Sequence, residues 1–218
     1  MKNCKPANLD PHQQQLLDDG LLLPVMEMFY SIQGEGRNTG KAAGFVRIGG
    51  CDVGCRWCDV KEAWDASLHP LTPLDTIVDT LASYPSRAVV ITGGEPLMYN
   101  LEPLTRELRQ HGITIFLETS GAYPLSGAFD WVCLSPKINH KPLPQLLQAA
   151  HELKVIIHKA TDLEWARQQE PLVSNKCLLY LQPEWSRYDS MLPLIVEYVQ
   201  QHPRWMVSLQ AHKFMNIP

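Results

Sequence analysis

From Val25 onward, short apolar runs alternate along the chain with segments whose apolar residues recur at helical spacing. Such runs predict buried strands at residues 25–31, 44–48, 88–92, 113–118, 131–135, 153–158, 177–182 and 205–209. The intervening segments predict helices at residues 72–83, 101–111, 143–152, 162–170 and 190–201. The first helix has a start signal, in which Thr72 caps, Pro73 occupies the first turn and Asp75 follows.

Strands that alternate with helices favour parallel pairing in one sheet. Six or so strand–helix units are too few for a closed eight-stranded barrel, so a partial barrel and an open sheet both fit. The predicted fold is therefore α/β, a partial, open (β/α)6-type barrel. We expect residues 1–24 to form an N-terminal extension with at most one short helix. Residues 25–218 form one domain, because they contain no repeat and no low-complexity linker.

The composition narrows the class of protein. The chain is 45% apolar and 19% charged, which is typical of a globular protein, and its net charge of −4 argues against nucleic acid as a partner. No stretch approaches the ~20 apolar residues that span a bilayer, so we expect a cytoplasmic protein with reduced thiols. Six cysteines in that setting indicate metal or redox chemistry. Cys133 and Cys177 are interpreted as small buried hydrophobic residues.

Polar residues and glycines follow most of the predicted strands. In parallel α/β folds the carboxyl ends of the strands gather at one edge, where chemistry takes place. We therefore expect a single pocket formed by the segments 49–58, 93–96, 119–121, 135–137, 182–183 and 210–213.

Three cysteines of the first of these segments have the spacing C-x3-C-x2-C, as Cys51, Cys55 and Cys58. Thiolates are the usual ligands of iron–sulfur clusters, and three of them leave one iron of a [4Fe–4S] cluster open. A structural zinc site is the alternative, but zinc normally takes four protein ligands, and the chain has no second cysteine pair.

The cysteine spacing resembles that of the radical S-adenosylmethionine (SAM) superfamily, and Gly93-Gly94-Glu95 resembles its GGE motif. The resemblance implies that SAM chelates the open iron and is cleaved reductively to a 5′-deoxyadenosyl radical. It also implies a set of SAM-binding residues, which here would be Trp57, Gly93, Gly94, Glu95, Thr119, Ser120, Ser135, Lys137 and Gln182.

Two further segments, Met28–Gly36 and the terminal Ser208–Pro218, resemble the 7-carboxy-7-deazaguanine synthase family, and the similarity covers nearly all of the chain from Met26. This resemblance implies a radical SAM carbon–nitrogen lyase of the pathway to queuosine and related 7-deazapurines. Its reaction converts 6-carboxy-5,6,7,8-tetrahydropterin to 7-carboxy-7-deazaguanine with loss of ammonia, and SAM is a reusable cofactor. A homodimer and an electron donor such as flavodoxin or ferredoxin are also implied.

The expected substrate residues are chemically suited to a carboxylated pterin. Gln33 and Glu35 offer an amide and a carboxylate to its donor and acceptor edge, and Arg47 can bind its carboxylate. His212 can reach the ring, and the family resemblance implies that the terminal carboxylate, here on Pro218, bonds the pterin. Thr92 completes the predicted set.

One position departs from the family pattern. Most members have Cys-Asp-Thr after the last cysteine, and the threonine hydroxyl helps to bind Mg²⁺; here the run is Cys58-Asp59-Val60. Valine cannot coordinate a metal, whereas Asp59 with waters could, since Mg²⁺ uses few protein ligands. We therefore predict that Mg²⁺ dependence is weaker than in the family.

Two alternative functions remain. An activase that installs a glycyl radical on a partner enzyme would share the cysteine triad and the GGE motif, but not the QGEG segment or the HK-x-x-N-I-x terminus. A zinc-binding scaffold without catalysis would leave the polar strand ends unexplained.

Overall fold

The computed structural model describes residues 4–218, and its centre is a nine-stranded sheet of order β3-β1-β2-β4-β5-β6-β7-β8-β9. The strands are β1 (Leu22–Ile32), β2 (Ala42–Ile48), β3 (Leu71–Pro73), β4 (Ala88–Gly93), β5 (Thr114–Thr119), β6 (Trp131–Leu134), β7 (Glu152–Ile157), β8 (Leu178–Pro183) and β9 (Trp205–Val207). The helices are α1 (Pro11–Asp18), α2 (Leu74–Ala82), α3 (Glu102–Gln110), α4 (Pro144–Ala149), α5 (Asp162–Gln169), α6 (Tyr188–Gln201) and α7 (Ala211–Met215).

Seven neighbouring strands, from β2 and β4 to β9, pair in parallel, which confirms the predicted open α/β sheet of partial-barrel type. The expectation of parallel pairing is wrong at one edge. There β1 runs antiparallel to both β2 and β3. The physical reason is the short connection of residues 33–41, which contains only one turn of 3₁₀ helix, whereas a parallel pair needs a crossover of a dozen residues or more.

The sheet has two chemically different faces. Residues such as Val46, Ile91 and Leu117 face the helices and form the main core with them. A small apolar cluster of Phe45, Val90, Phe116 and Ala43 covers the other face near the amino ends of the strands. Side chains two residues apart in a strand lie on the same face of the sheet. The polar residues that follow this apolar cluster along the strands therefore lie on the same face, nearer the carboxyl ends.

Two predicted helix boundaries differ from the structure. Thr72 does not cap α2; it lies in β3, where it pairs with Leu23, and the helix begins at Leu74 with Pro73 as its N-cap. Glu152 is not the end of a helix, since α4 ends at Ala149 and Glu152 begins β7.

The N-terminal segment packs on the domain. Asp10 and Gln13 form a reciprocal capping box at the start of α1, and Leu17 of that helix is buried in the main core. Since β1 begins at Leu22, a boundary after residue 24 would fall inside a strand. Within residues 4–218, no helix combines the length and apolar character that crossing a bilayer requires.

Candidate active site

Two adjoining cavities open at the carboxyl ends of the parallel strands. The first cavity lies against the loop that carries the three cysteines, and the second lies between β1, β2 and the C-terminus. They share a wall formed by Glu35, Asp59, Thr92, Gly93 and Glu118. Two ligands bound in the two cavities would therefore be neighbours.

The first cavity brings Cys51, Cys55 and Cys58 together, and each cysteine is half-buried. Burial raises the pKa of the Cys51 thiol to about 12 and also raises the pKa of Cys55. Thiolates at such positions require a cation to compensate their charge, which bound iron would supply. The donor set therefore fits the cluster predicted from the sequence.

The glycines of the GGE motif bring two backbones close together. A Cβ on Gly93 would lie 2.2 Å from the carbonyl oxygen of Ile48, and one on Gly94 would lie 2.2 Å from that of Gly50. Gly93 also has a φ of +128°, which side chains rarely adopt. The glycines thus pack the end of β4 against residues 48–50, directly before the first cysteine.

The Glu95 carboxylate is buried beside the first cavity, and both of its oxygens accept hydrogen bonds. Its Oε1 accepts hydrogen bonds from Thr119 Oγ1 (2.6 Å) and from the Leu97 amide (3.1 Å). Its Oε2 accepts from the amide (2.8 Å) and the hydroxyl (2.5 Å) of Ser120. Thr119 and Ser120, which the sequence predicted to bind SAM, therefore position Glu95 in this structure.

The other residues that were predicted to bind SAM also line the first cavity. The Trp57 ring stacks on His158, with 5.4 Å between ring centroids. Lys137 Nζ donates to the Ser135 hydroxyl at 2.6 Å, and burial lowers the pKa of Lys137. The amide oxygen of Gln182 accepts from the Ser208 hydroxyl at 2.7 Å.

The second cavity contains the end of β1 and helix α7. The Ala211 amide donates to the Gly34 carbonyl at 2.9 Å, which docks the helix on the loop after β1. A Cβ on Gly34 would lie 2.2 Å from His212 Nδ1, so glycine is required for this close packing. Burial lowers the pKa of His212, which is therefore neutral at pH 7 and can both donate and accept.

Other predicted substrate residues line the same cavity. Arg47 forms an ion pair with Glu27 (2.8 Å), and its guanidinium lies 5.4 Å from the centre of the Phe29 ring. Thr92 is paired with Arg47 in the register of β2 and β4. At the far side, a main-chain oxygen of Pro218 accepts a hydrogen bond from the Ser31 hydroxyl at 3.0 Å.

Similar proteins share both the sequence and the fold. The radical SAM superfamily matches residues 45–135. The 7-carboxy-7-deazaguanine synthase of Flavobacterium psychrophilum is 52% identical, with the alignment covering 94% of this chain and 97% of that protein. The chain belongs to the 7-carboxy-7-deazaguanine synthase family.

Two more distant relatives agree with this assignment. The 7-carboxy-7-deazaguanine synthase of a Synechocystis species is 45% identical over 89% of this chain and 93% of its own length. The crystal structure of QueE from Escherichia coli superposes with a TM-score of 0.81 at 30% identity, and the match covers 93% of this chain and all of that one. The protein is thus a radical SAM enzyme.

In this member of the family, the structure adds residues to the site that the sequence analysis did not select. Lys154 of β7 is buried, and its ammonium contacts the carboxylates of Glu35 and Glu118, the latter at 2.9 Å. Gln210 lies in the segment 210–213 that was predicted to line the pocket, but no role was assigned to it; it donates to Glu35 Oε1 at 2.9 Å. One sequence feature could have indicated Lys154: the charged residues Glu152 and Lys154 occupy alternate positions of an otherwise apolar strand.

The carboxylates around Lys154 differ in electrostatics. Burial alone would raise the pKa of Glu35, but the charge and the hydrogen bond of Lys154, with smaller contributions from Gln210 and His212, outweigh it and lower that pKa to about 2. At Glu118 burial prevails over Lys154, so its pKa is raised. Glu118 also lies in one register row with Cys133 and Glu152, and the ligand atoms of the three lie within 4.8 Å of one another.

Asp59 precedes Val60, the residue at which this chain departs from the family pattern. The Asp59 side chain is 56% exposed and accepts hydrogen bonds from Gln210 and Lys213, both at 3.2 Å. Val60 lines the second cavity, and its side chain has no oxygen to offer as a ligand. Asp59 is the nearest carboxylate along the chain that could hold a metal at this wall.

Proposed function

We propose that the protein converts 6-carboxy-5,6,7,8-tetrahydropterin to 7-carboxy-7-deazaguanine with loss of ammonia, as part of queuosine or related 7-deazapurine biosynthesis. The observation that carries this proposal is the pair of adjoining cavities, one with three cysteines and one with polar groups suited to a pterin. The names of the relatives supply the identity of the product, and the family resemblance implies the substrate.

The first cavity is proposed to hold a [4Fe–4S] cluster on Cys51, Cys55 and Cys58, together with SAM. When bound, these groups supply the one-electron chemistry that starts the rearrangement of the substrate. The residues proposed to bind SAM all line this cavity; they are Trp57, Gly93, Gly94, Glu95, Thr119, Ser120, Ser135, Lys137 and Gln182.

The second cavity is proposed to bind the pterin. Glu35 remains ionised at neutral pH and can accept hydrogen bonds from N–H donors, while the amide of Gln33 is buried beside it. Arg47 can exchange its exposed partner Glu27 for the substrate carboxylate. His212 and the terminal carboxylate of Pro218 complete the opposite side.

Mg²⁺ is proposed to be a weaker requirement here than in the family. Asp59 supplies one carboxylate, but Lys213 already partly neutralises it, and Val60 supplies no ligand. Waters and the substrate carboxylate would have to complete the octahedral shell.

The remaining parts of the proposal follow from the family resemblance. We propose a homodimer in the cytoplasm that receives electrons from a flavodoxin or a ferredoxin. Pterin is the proposed small-molecule partner, and neither nucleic acid nor a membrane is part of the proposal.

The test is a turnover assay under strict exclusion of oxygen. The protein, with a native C-terminus, is reconstituted with iron and sulfide and given reductant, SAM and 6-carboxy-5,6,7,8-tetrahydropterin. We expect mass spectrometry to show 7-carboxy-7-deazaguanine, and many turnovers per SAM consumed. The Cys55→Ala variant is the matched control and should give no product.

Two other outcomes would refute the proposal in different ways. Cleavage of SAM without product would retain the radical chemistry but refute the pterin substrate, and would favour a glycyl-radical activase. A colourless protein that binds zinc and ignores SAM would refute both.

A further inference from the structure

A single buried ammonium stands in the wall between the two cavities. The side chain of Lys154 is only 4% exposed, and its Nζ donates to Glu35 Oε2 and to Glu118 Oε2. Glu35 and Glu118 line both cavities, whereas Lys154 lines only the first. The ammonium thus approaches both carboxylates from one side and leaves their other sides toward the second cavity.

The two carboxylates would not keep this arrangement without a cation. Both lie in a region of low dielectric, where neighbouring negative charges repel and one of them takes up a proton. Burying the Lys154 ammonium also costs desolvation free energy, and only these contacts offset that cost. Lys154 therefore has a defined electrostatic task, and it is not an incidental surface residue.

Two amide side chains tie the same group together. Gln33 Nε2 donates to Glu118 Oε1 at 3.3 Å, and Gln210 Nε2 donates to Glu35 Oε1 at 2.9 Å. The backbone amide of Glu35 donates to Gln33 Oε1 at 3.1 Å. Each carboxylate is thus bound by Lys154 through one oxygen and by an amide through the other, which fixes the planes of both.

We propose that Lys154 is a positioning residue that holds Glu35 and Glu118 as a fixed pair of hydrogen-bond acceptors for a flat nitrogen heterocycle in the second cavity. Adjacent N–H donors, as on an aminopyrimidinone edge, are the complementary chemistry. The identity of that heterocycle rests on the proposed function, whereas the fixed pair rests on the contacts of Lys154 alone.

At Glu35 the electrostatics agree with this role. Lys154, with smaller contributions from Gln210 and His212, outweighs the effect of burial and lowers the pKa of Glu35 to about 2, so this acceptor stays ionised across the physiological range. The ionisable groups that face Lys154 from the surrounding elements are Glu35, Glu118, Cys133, Lys137 and Glu152. His212 faces Glu35 from α7.

The test compares Lys154→Met, which keeps the length of the side chain but removes its charge, with Lys176→Met, which removes an exposed charge elsewhere. The reconstituted full-length proteins carry ¹³C-labelled glutamate, and the Glu35 carboxyl is titrated by NMR, with Glu35→Gln identifying its signal. The KM and kcat for 6-carboxy-5,6,7,8-tetrahydropterin are measured in parallel at neutral pH.

In Lys154→Met we expect Glu35 to titrate at least one pH unit higher than in the wild type, and KM to rise about tenfold or more with a smaller change in kcat. A merely structural role would leave the Glu35 titration where it is in the wild type and would not confine the kinetic effect to KM. Lys176→Met should match the wild type in both measurements.

An unshifted Glu35 titration in Lys154→Met would overturn the proposal. If this variant does not fold, Lys154→Met combined with Glu118→Gln removes one charge of each sign, and the Glu35 titration is measured there with the same criterion. If the wild type makes no product from the pterin, the proposed function fails, while the NMR titration still decides the role of Lys154.

Discussion

Replacement of Gly34 by alanine should damage the second cavity without affecting the cluster loop. The new Cβ would lie 2.2 Å from His212 Nδ1, 2.7 Å from its Cγ and 2.8 Å from its Cβ. Normal contacts between such atoms are about 3.5–4.0 Å, so His212 must move by roughly 1 Å or more. Overpacking of this kind costs about 1–3 kcal/mol, and a 1 Å displacement at an active site can cost on the order of 100-fold in rate.

We therefore expect kcat/KM for the pterin to fall roughly ten- to hundredfold in Gly34→Ala, while the iron–sulfur absorption spectrum is retained. The matched control is Gly40→Ala in the same loop, where the added methyl meets nothing within 4 Å. Gly40 has a φ of +88°, so this control loses about 1 kcal/mol of stability but should keep its activity. Equal kinetics in the two variants would refute the argument from packing.

Three further changes test other parts of the site. Val60→Thr should strengthen the stimulation of turnover by Mg²⁺ because it adds an oxygen ligand, and equal stimulation in the variant and the wild type would count against this. Deletion of Pro218 removes its hydrogen bond to Ser31 and moves the terminal carboxylate, so KM should rise about tenfold; an unchanged KM would exclude a role for the terminus. The pKa of Glu35 is about 2 in the folded protein, against 4.5 for the unperturbed group. Its ion pair therefore stabilises the protein fully above pH 4.5, and this contribution is lost as the pH falls toward 2. Glu35→Gln should therefore reduce the free energy of unfolding by on the order of 2 kcal/mol at pH 6, as measured by urea denaturation, and by much less near pH 3; a constant difference would show that the ion pair is not responsible.

The sequence predicts the parallel sheet because each buried strand has its own apolar run, as Val89, Val90 and Ile91 do in β4. It does not predict the direction of β1. An apolar run carries no information on strand direction, which here depends on the short connection to β2. The absence of a helical pattern between residues 33 and 41 was the usable signal.

The cysteine loop could be found from spacing alone, because its ligands lie close together along the chain. Lys154 could not be found in this way. Its partners Glu35 and Glu118 are 119 and 36 residues away, and only the register of the strands brings them together. Likewise, the contacts of Glu95 with Thr119 and Ser120 could not be found from the sequence, because they depend on the spacing of neighbouring strands.

The division of the sheet into an apolar and a charged face also limits how its strands can be misaligned. A slip of one residue in β7 would turn Glu152 and Lys154 into the apolar layer beneath the helices and bring Leu153 and Val155 into the cavity. Burying unpaired charges in that layer costs several kcal/mol, so the misaligned state is strongly disfavoured. The charged residues of the site therefore also select the correct strand register while the sheet assembles. Apolar replacements on this face would remove the free-energy penalty for the misaligned register. We expect them to increase mispairing and aggregation even where they stabilise the native fold.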